Sequence, residues 1–139
     1  MTKTDPQQQI ETRVFAALNA LTRKDVMPWS ELFTDDGVQE FPYAPEGSPK
    51  QVSGKSAIAS YLADYPKMLD LHHISMPTWY HDGNTAIAQF EVVVTAVPTG
   101  KPYNQSYISV IEHEGGKIVR YIDYWNPLIV QEALGSMFK

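Results

Sequence analysis

The stretch KIVRYIDYWNP, residues 117–127, alternates like a β-strand and carries one carboxylate, Asp123, between Tyr121 and Trp125 on a single face. Gly115-Gly116 precedes it and Asn126-Pro127 follows, so both of its ends are marked by turn residues. Residues 102–113 have the same character, and EGGK at 114–117 joins the two segments into a long hairpin. If Gly115-Gly116 form a two-residue loop, Asp123 falls opposite Ile108 and Tyr121 opposite Val110. The inner face then reads Ile108, Val110, Val119, Tyr121, Asp123 and Trp125, an apolar wall with one acid in it. The reverse carries Tyr107, Ser109, Ile111, Ile122 and Tyr124, a surface apolar enough to predict a homodimer through the outer sheet face.

Working outward, residues 71–81 and 84–97 form a second hairpin joined at DGN. A DG turn pairs Ala86, Ala88, Phe90 and Val92 with Trp79, Pro77, Ser75 and His73, leaving Gln89 and Glu91 on the reverse. His73 then shares the inner face, and a one-residue bulge substitutes His72. Upstream the period is helical. Asp5-Pro6 caps a helix over about 6–23 in which Ile10, Val14, Ala17, Leu18 and Leu21 form the apolar stripe. Asp25 can cap a second, shorter helix with Trp29, Leu32 and Phe33 on one side, ended by TDDG. VQEFPY is a short strand stopped by Pro42, APEGSPKQVSG reads as loop, and Ser53 caps a third helix through KSAIASYLADY that Pro66 closes. After Pro127, LIVQEALGSMF places Leu128, Ile129, Ala133 and Leu134 at helix-like intervals and is expected to act as a lid or dimer strap. The fold class is α+β, one curved antiparallel sheet wrapped around three N-terminal helices, in a single domain over 1–139.

Composition narrows the function. A net charge of −5 with 11 Lys+Arg, none in a run, offers no footprint for nucleic acid or anionic lipid. With no cysteine there is no disulfide framework, thiolate nucleophile or cysteine zinc site. No apolar run approaches the roughly 20 residues of a membrane span, and MTKTDPQQQ has no signal-like apolar segment, so a cytoplasmic protein is expected. SGKS at 53–56 lacks the first glycine of a phosphate loop, Pro49 standing there, and reads as a helix start.

The element order, WSELFTDDGVQEFPYAPEG, the SGKSAI helix start and GGKIVRYIDYWNPLIV together resemble the SnoaL-like branch of the nuclear transport factor 2-like superfamily over nearly the whole chain. The resemblance implies a cone with a pocket between the curved sheet and the helices, usually in a homodimer. Ketosteroid isomerases carry a general base before the proline of the first strand, a tyrosine in the first helix and an aspartate in the penultimate strand. Those positions match Phe41, Ala17 and Ile108, so that chemistry is not implied. Limonene epoxide hydrolases need an Asp, Arg, Asp set for which QSYISVIEH offers no inner Asp or Arg. Polyketide cyclases of anthracycline pathways place an acid/base aspartate in the last strand, and it matches Asp123. Phenazine biosynthesis A/B proteins have a glutamate there, in a string similar to IDYWN; their catalytic histidine has Tyr61 as its nearest counterpart here.

Asp123 is thus the candidate general acid/base, since an acid among Tyr, Trp, Ile and Val loses hydration of its charged form and titrates nearer neutrality. His73 or His72 is the candidate partner. Tyr121, Trp125, Trp79, Phe41, Tyr43, Tyr61 and Ile108 are candidates to line a site for a hydrophobic, carbonyl-bearing small molecule, with no cofactor and no metal. Glu40 alternates to the opposite face and is expected to be solvated, as are His81 and His113 beside the turns. The competing reading is a non-catalytic module that binds an apolar ligand or serves as a dimeric partner, with Asp123 structural.

Overall fold

The computed structural model describes residues 5–135. Helix α1 (Pro6–Thr22) starts where Asp5 accepts a hydrogen bond from the Gln8 amide at 2.8 Å. Its expected stripe of Ile10, Val14, Ala17, Leu18 and Leu21 is buried against the sheet, at about 1.5–3 kcal/mol for each large side chain. One helical turn, α2 (Met27–Ser30), buries Trp29. Phe33, expected in that helix, instead opens strand β1 (Phe33–Glu40), and TDDG lies inside the strand. Gly37 makes this possible: a Cβ there would meet the Phe33 ring at 2.9 Å and the Ile118 carbonyl at 3.0 Å.

The end of the expected loop forms β2 (Gln51–Ser53), antiparallel to β1. Helix α3 (Lys55–Ala63) is capped by Gly54 at φ 96°, a conformation that favours glycine, rather than by Ser53. Pro66 does not close α3; it lies in the first turn of α4 (Tyr65–Met68). Then come β3 (Leu69–Ile74), β4 (Thr78–Asp82), β5 (Thr85–Ala96), β6 (Gln105–Glu114), β7 (Lys117–Tyr124) and α5 (Pro127–Leu134). Residues 71–81, expected as one strand, are broken at Ser75–Pro77, and both halves pair with the long β5.

The sheet order is β2-β1-β7-β6-β5-β3, antiparallel except that β1 runs parallel to β7. This is the expected α+β architecture, a curved, unclosed, mostly antiparallel sheet with helices. The parallel pairing is what matters for the site, because Gln39 opposite Tyr121 and Glu40 opposite Ile122 bring Phe41 beside the end of β7. Glu40, expected to be solvated, is half-buried on the outer face, where Arg120 donates to both its oxygens at 2.8 and 3.1 Å.

Two bulges decide which side chains face inward. At the Gly115-Gly116 turn the register is as expected, with Glu114 opposite Lys117 and His113 opposite Ile118. The next pair is Glu112 with Arg120, so Val119 is an extra residue and every later pair shifts by one. Ser109, not Ile108, therefore faces Asp123, and Ile111 faces Tyr121. Tyr107, Ser109 and Ile111 belong to the inner face and Ile108 and Val110 to the outer one, the reverse of the sequence expectation for β6. The second bulge is His72, between Leu71 opposite Val94 and His73 opposite Val93. Leu71 and Ile74 are buried while both histidines are exposed. Helix α5 is capped by Asn126, which accepts from the Leu128 amide at 2.9 Å, and buries Val130, Ala133 and Leu134. The rest of the expected tail lies outside the described residues. Among the described residues no helix is long and apolar enough to cross a membrane.

Candidate functional site

A cavity of about 440 Å³ opens between the inner sheet face and the helices, a size in the range of small-molecule sites. The C-terminal half of α1 contributes Leu18 and Leu21, α3 and α4 contribute Tyr61 and Tyr65, and α5 closes one side with Val130 and Leu134. The sheet supplies Phe90, Tyr107, Tyr121, Asp123 and, just past β7, Trp125. Two reciprocal hydrogen bonds fix the point where Trp125 leaves the sheet. Gln105 donates to the Asn126 carbonyl at 2.9 Å and accepts from its amide at 3.0 Å.

Asp123 is half-buried at its surface and closed in by protein on all sides, so its remaining exposure is to the cavity. The Val119 bulge gives it its one hydrogen-bond partner among the described residues, Ser109 Oγ, which donates to Oδ1 at 3.3 Å. Ser109 in turn accepts from the Tyr121 hydroxyl at 2.8 Å. A long bond from one hydroxyl is a weak offset to dehydration. Burial pushes the Asp123 carboxyl up to about 7 and Ser109 pulls it down only in part.

The neighbouring tyrosines respond in the same direction. Burial raises Tyr61, Tyr65, Tyr107 and Tyr121 above the ordinary phenol value and pushes Tyr103 up to about 12, and the Asp123 charge adds to each shift. All five remain neutral hydroxyls at physiological pH. Their rings belong to a continuous aromatic lining: Phe41 stacks on Tyr61 at 5.1 Å and lies 5.7 Å from Trp125, while Tyr107 meets Trp125 edge-on at 6.3 Å and stacks on Phe90 at 5.4 Å. At 37% exposed, Tyr61 stands at the rim.

Of the candidates named from sequence, Asp123, Tyr121, Trp125, Phe41 and Tyr61 meet at this cavity. The others do not. His72 is exposed and bonded to Thr95 Oγ1 at 2.9 Å, and the bulge turns His73 outward beside Val93, so neither histidine reaches Asp123. Ile108 is 46% exposed on the outer face, and Tyr43 lies outside the cavity, edge-on to Tyr124 at 5.7 Å. Trp79 faces inward opposite Ala88 but at the other end of the sheet, stacked on His81. There, against expectation, His81 Nε2 lies 2.6 Å from Glu11 Oε2, and His113 is 1% exposed. Burial and then the nearby His81 lower the pKa of His113. Tyr65, Tyr103, Tyr107 and Ser109 were missed. A signal existed for the last two, because Glu112 shares the Ile108 and Val110 face and marks it as outward. Among the described residues no group of three or more His, Cys, Asp or Glu could hold a metal ion.

A family model of the SnoaL-like domain matches residues 12–121. The uncharacterized Bacillus subtilis protein YesE is 53% identical over 85% of this chain and 82% of its own length. An uncharacterized PhzA/B-like protein of Pseudomonas aeruginosa is 34% identical over 87% of this chain and 86% of its own. A crystal structure of a Bacillus subtilis protein provisionally assigned as an isomerase superposes with a TM-score of 0.91 at 46% identity, covering 96% of this chain and 98% of that one.

Proposed function

Because the chain belongs to the SnoaL-like family, we propose that it is an acid/base enzyme of isomerase or cyclase type, acting on a hydrophobic, carbonyl-bearing small molecule with Asp123 as the proton-transferring group. The observation that carries this reading is an enclosed carboxyl, Asp123, on the wall of an aromatic cavity, pushed by burial up to about 7. A group with that pKa is populated in both protonation states at neutral pH, which is what general acid/base catalysis uses. Ionised Asp123 takes a proton from the carbon next to the carbonyl, and the electron pair moves onto the carbonyl oxygen. A neutral tyrosine hydroxyl of the cluster donates a hydrogen bond to that developing oxyanion. Protonated Asp123 then returns the proton at a different carbon, completing an isomerisation, or the enolate carbon attacks a second carbonyl and closes a ring, the proton passing from Asp123 to the oxygen of that carbonyl as its π bond breaks. In keeping with the family, the proposed assembly is a homodimer through the outer sheet face, with Ile108, Val93 and Tyr43 exposed.

The test is solvent-deuterium exchange into cyclic ketones and β,γ-enones, followed by mass spectrometry. Exchange should rise with pH through about 7 as Asp123 ionises, and Asp123→Asn should lower it about a hundredfold or more. Exchange no faster than in buffer, or equal in the variant, would favour a non-catalytic ligand-binding protein.

A further inference from the structure

The charge of the cavity wall and its ring faces point the same way, and we propose that the ligand of this site carries a basic nitrogen, held as its ammonium ion between Asp123 and the surrounding tyrosine rings. This builds on the reading of the cavity as a ligand site and names a chemical class for what enters it. Among the described residues the wall holds two carboxyls, the enclosed Asp123 and, exposed at the rim and paired with Lys67 at 3.4 Å, Asp64, and no Lys, Arg or His lines it. A carboxylate or phosphate ligand would meet no cationic side chain among those lining residues, and would bring a second negative charge toward Asp123 in a poorly solvated space.

Elsewhere in the molecule, two half-buried acids have a cationic partner. Glu40 is clasped by Arg120 through two hydrogen bonds, and Glu11 meets His81 at 2.6 Å. Asp123 is the more enclosed group and has only the 3.3 Å bond from Ser109. A cation entering the cavity would complement it. The aromatic lining supplies the second half of the recognition. Ring faces attract ammonium groups, most strongly where water is excluded, and Tyr61, Phe41, Trp125, Tyr107 and Phe90 are in contact one after another. An ammonium ion within reach of Asp123 offsets the effect of burial and favours the ionised carboxyl.

The groups facing Asp123 from each packed element make the pH behaviour simple. Ser109 and Tyr107 come from β6, Tyr121 from β7, Tyr103 from the segment before β6, and Tyr61 and Tyr65 from α3 and α4. The tyrosines stay neutral, so Asp123 governs the charge in their midst. Amine binding should therefore strengthen as pH rises through the Asp123 titration and weaken again above the amine's own pKa.

Three probes with one ring system separate the possibilities by titration calorimetry: 2-aminotetralin, 2-tetralone and tetralin-2-carboxylate. At about pH 8 the amine should bind wild type about tenfold or more tighter than the ketone, and the carboxylate most weakly. Asp123→Asn should erase the amine's advantage over the ketone. On wild type alone, the advantage should shrink about tenfold at about pH 5.5, and binding near pH 7 should release a proton. Amine binding no tighter than the ketone, an advantage that survives in Asp123→Asn, or no binding of any probe overturns the inference. Ketone binding and exchange without amine preference would overturn it and leave the acid/base reading standing. Amine preference without exchange would do the reverse.

Discussion

Replacing Asp123 by Asn keeps the size of the side chain and an acceptor for Ser109 while removing the titratable proton, so the pH dependence of stability isolates what burial does to this carboxyl. Its pKa is about 7 in the folded protein against 3.8 for the free side chain. A folded pKa above the unfolded one means that the native state binds the proton more tightly, so stability falls as pH rises from the unfolded value through the folded one and then levels off. At about 1.4 kcal/mol per unit, ionised Asp123 costs the folded protein about 4 kcal/mol at pH 7.5 and less than about 1 kcal/mol at pH 4. Asparagine has no such term. The difference in stability between variant and wild type should therefore move in favour of the variant by about 3–4 kcal/mol between pH 4 and pH 7.5. With a urea slope of about 1.5 kcal/mol/M, that is a relative shift in midpoint of about 2 M. Equal midpoint differences at the two pH values would show a carboxyl that burial does not shift, and a variant that matches wild type at pH 4 and is weaker at pH 7.5 would show a carboxylate stabilised by its surroundings; either result would refute this reasoning.

Ser109→Ala removes the hydrogen bond that lowers the Asp123 pKa and leaves the Tyr121 hydroxyl without its acceptor. The Asp123 titration should move upward, and urea denaturation should show a loss of about 1–2 kcal/mol. Ile108→Arg places a charge on the outer face, away from the cavity; sedimentation should show dimers becoming monomers of about 16 kDa while the melting temperature of the dilute protein stays within a few degrees. Truncation after Pro127 deletes Val130, Ala133 and Leu134 from the core and cavity wall, and a lower melting temperature is expected from circular dichroism.

The sequence was most legible where one rule acted alone. The stripe of α1, its Asp5-Pro6 start and the Gly115-Gly116 turn read correctly because local spacing and capping settle them. Asp123 also came out on the inner face, since β7 has an aromatic inner side from Tyr121 to Trp125. The errors over which side chains of β3 and β6 face inward trace to single extra residues. Val119 is compatible with either face, and nothing local announces that it is looped out; the cost was the whole of β6, which is apolar on both sides. In β3, Leu71 and Ile74 are both buried with two histidines between them, and that odd spacing of apolar residues was a legible sign of a bulge. The parallel β1–β7 pairing and the approach of Tyr65 and Tyr103 to Asp123 are long-range consequences of sheet curvature, and no short stretch encodes them.

The most direct measurement is an isotope-edited NMR titration of the aspartate side-chain carboxyls, with the Asp123 signal identified by its loss in Asp123→Asn. An inflection near 7 is expected for Asp123 in the free protein. A value below about 4.5, in the range of ordinary solvated or donor-held aspartates, would contradict the claim that this chain keeps a poised, unpaired acid on the wall of its cavity.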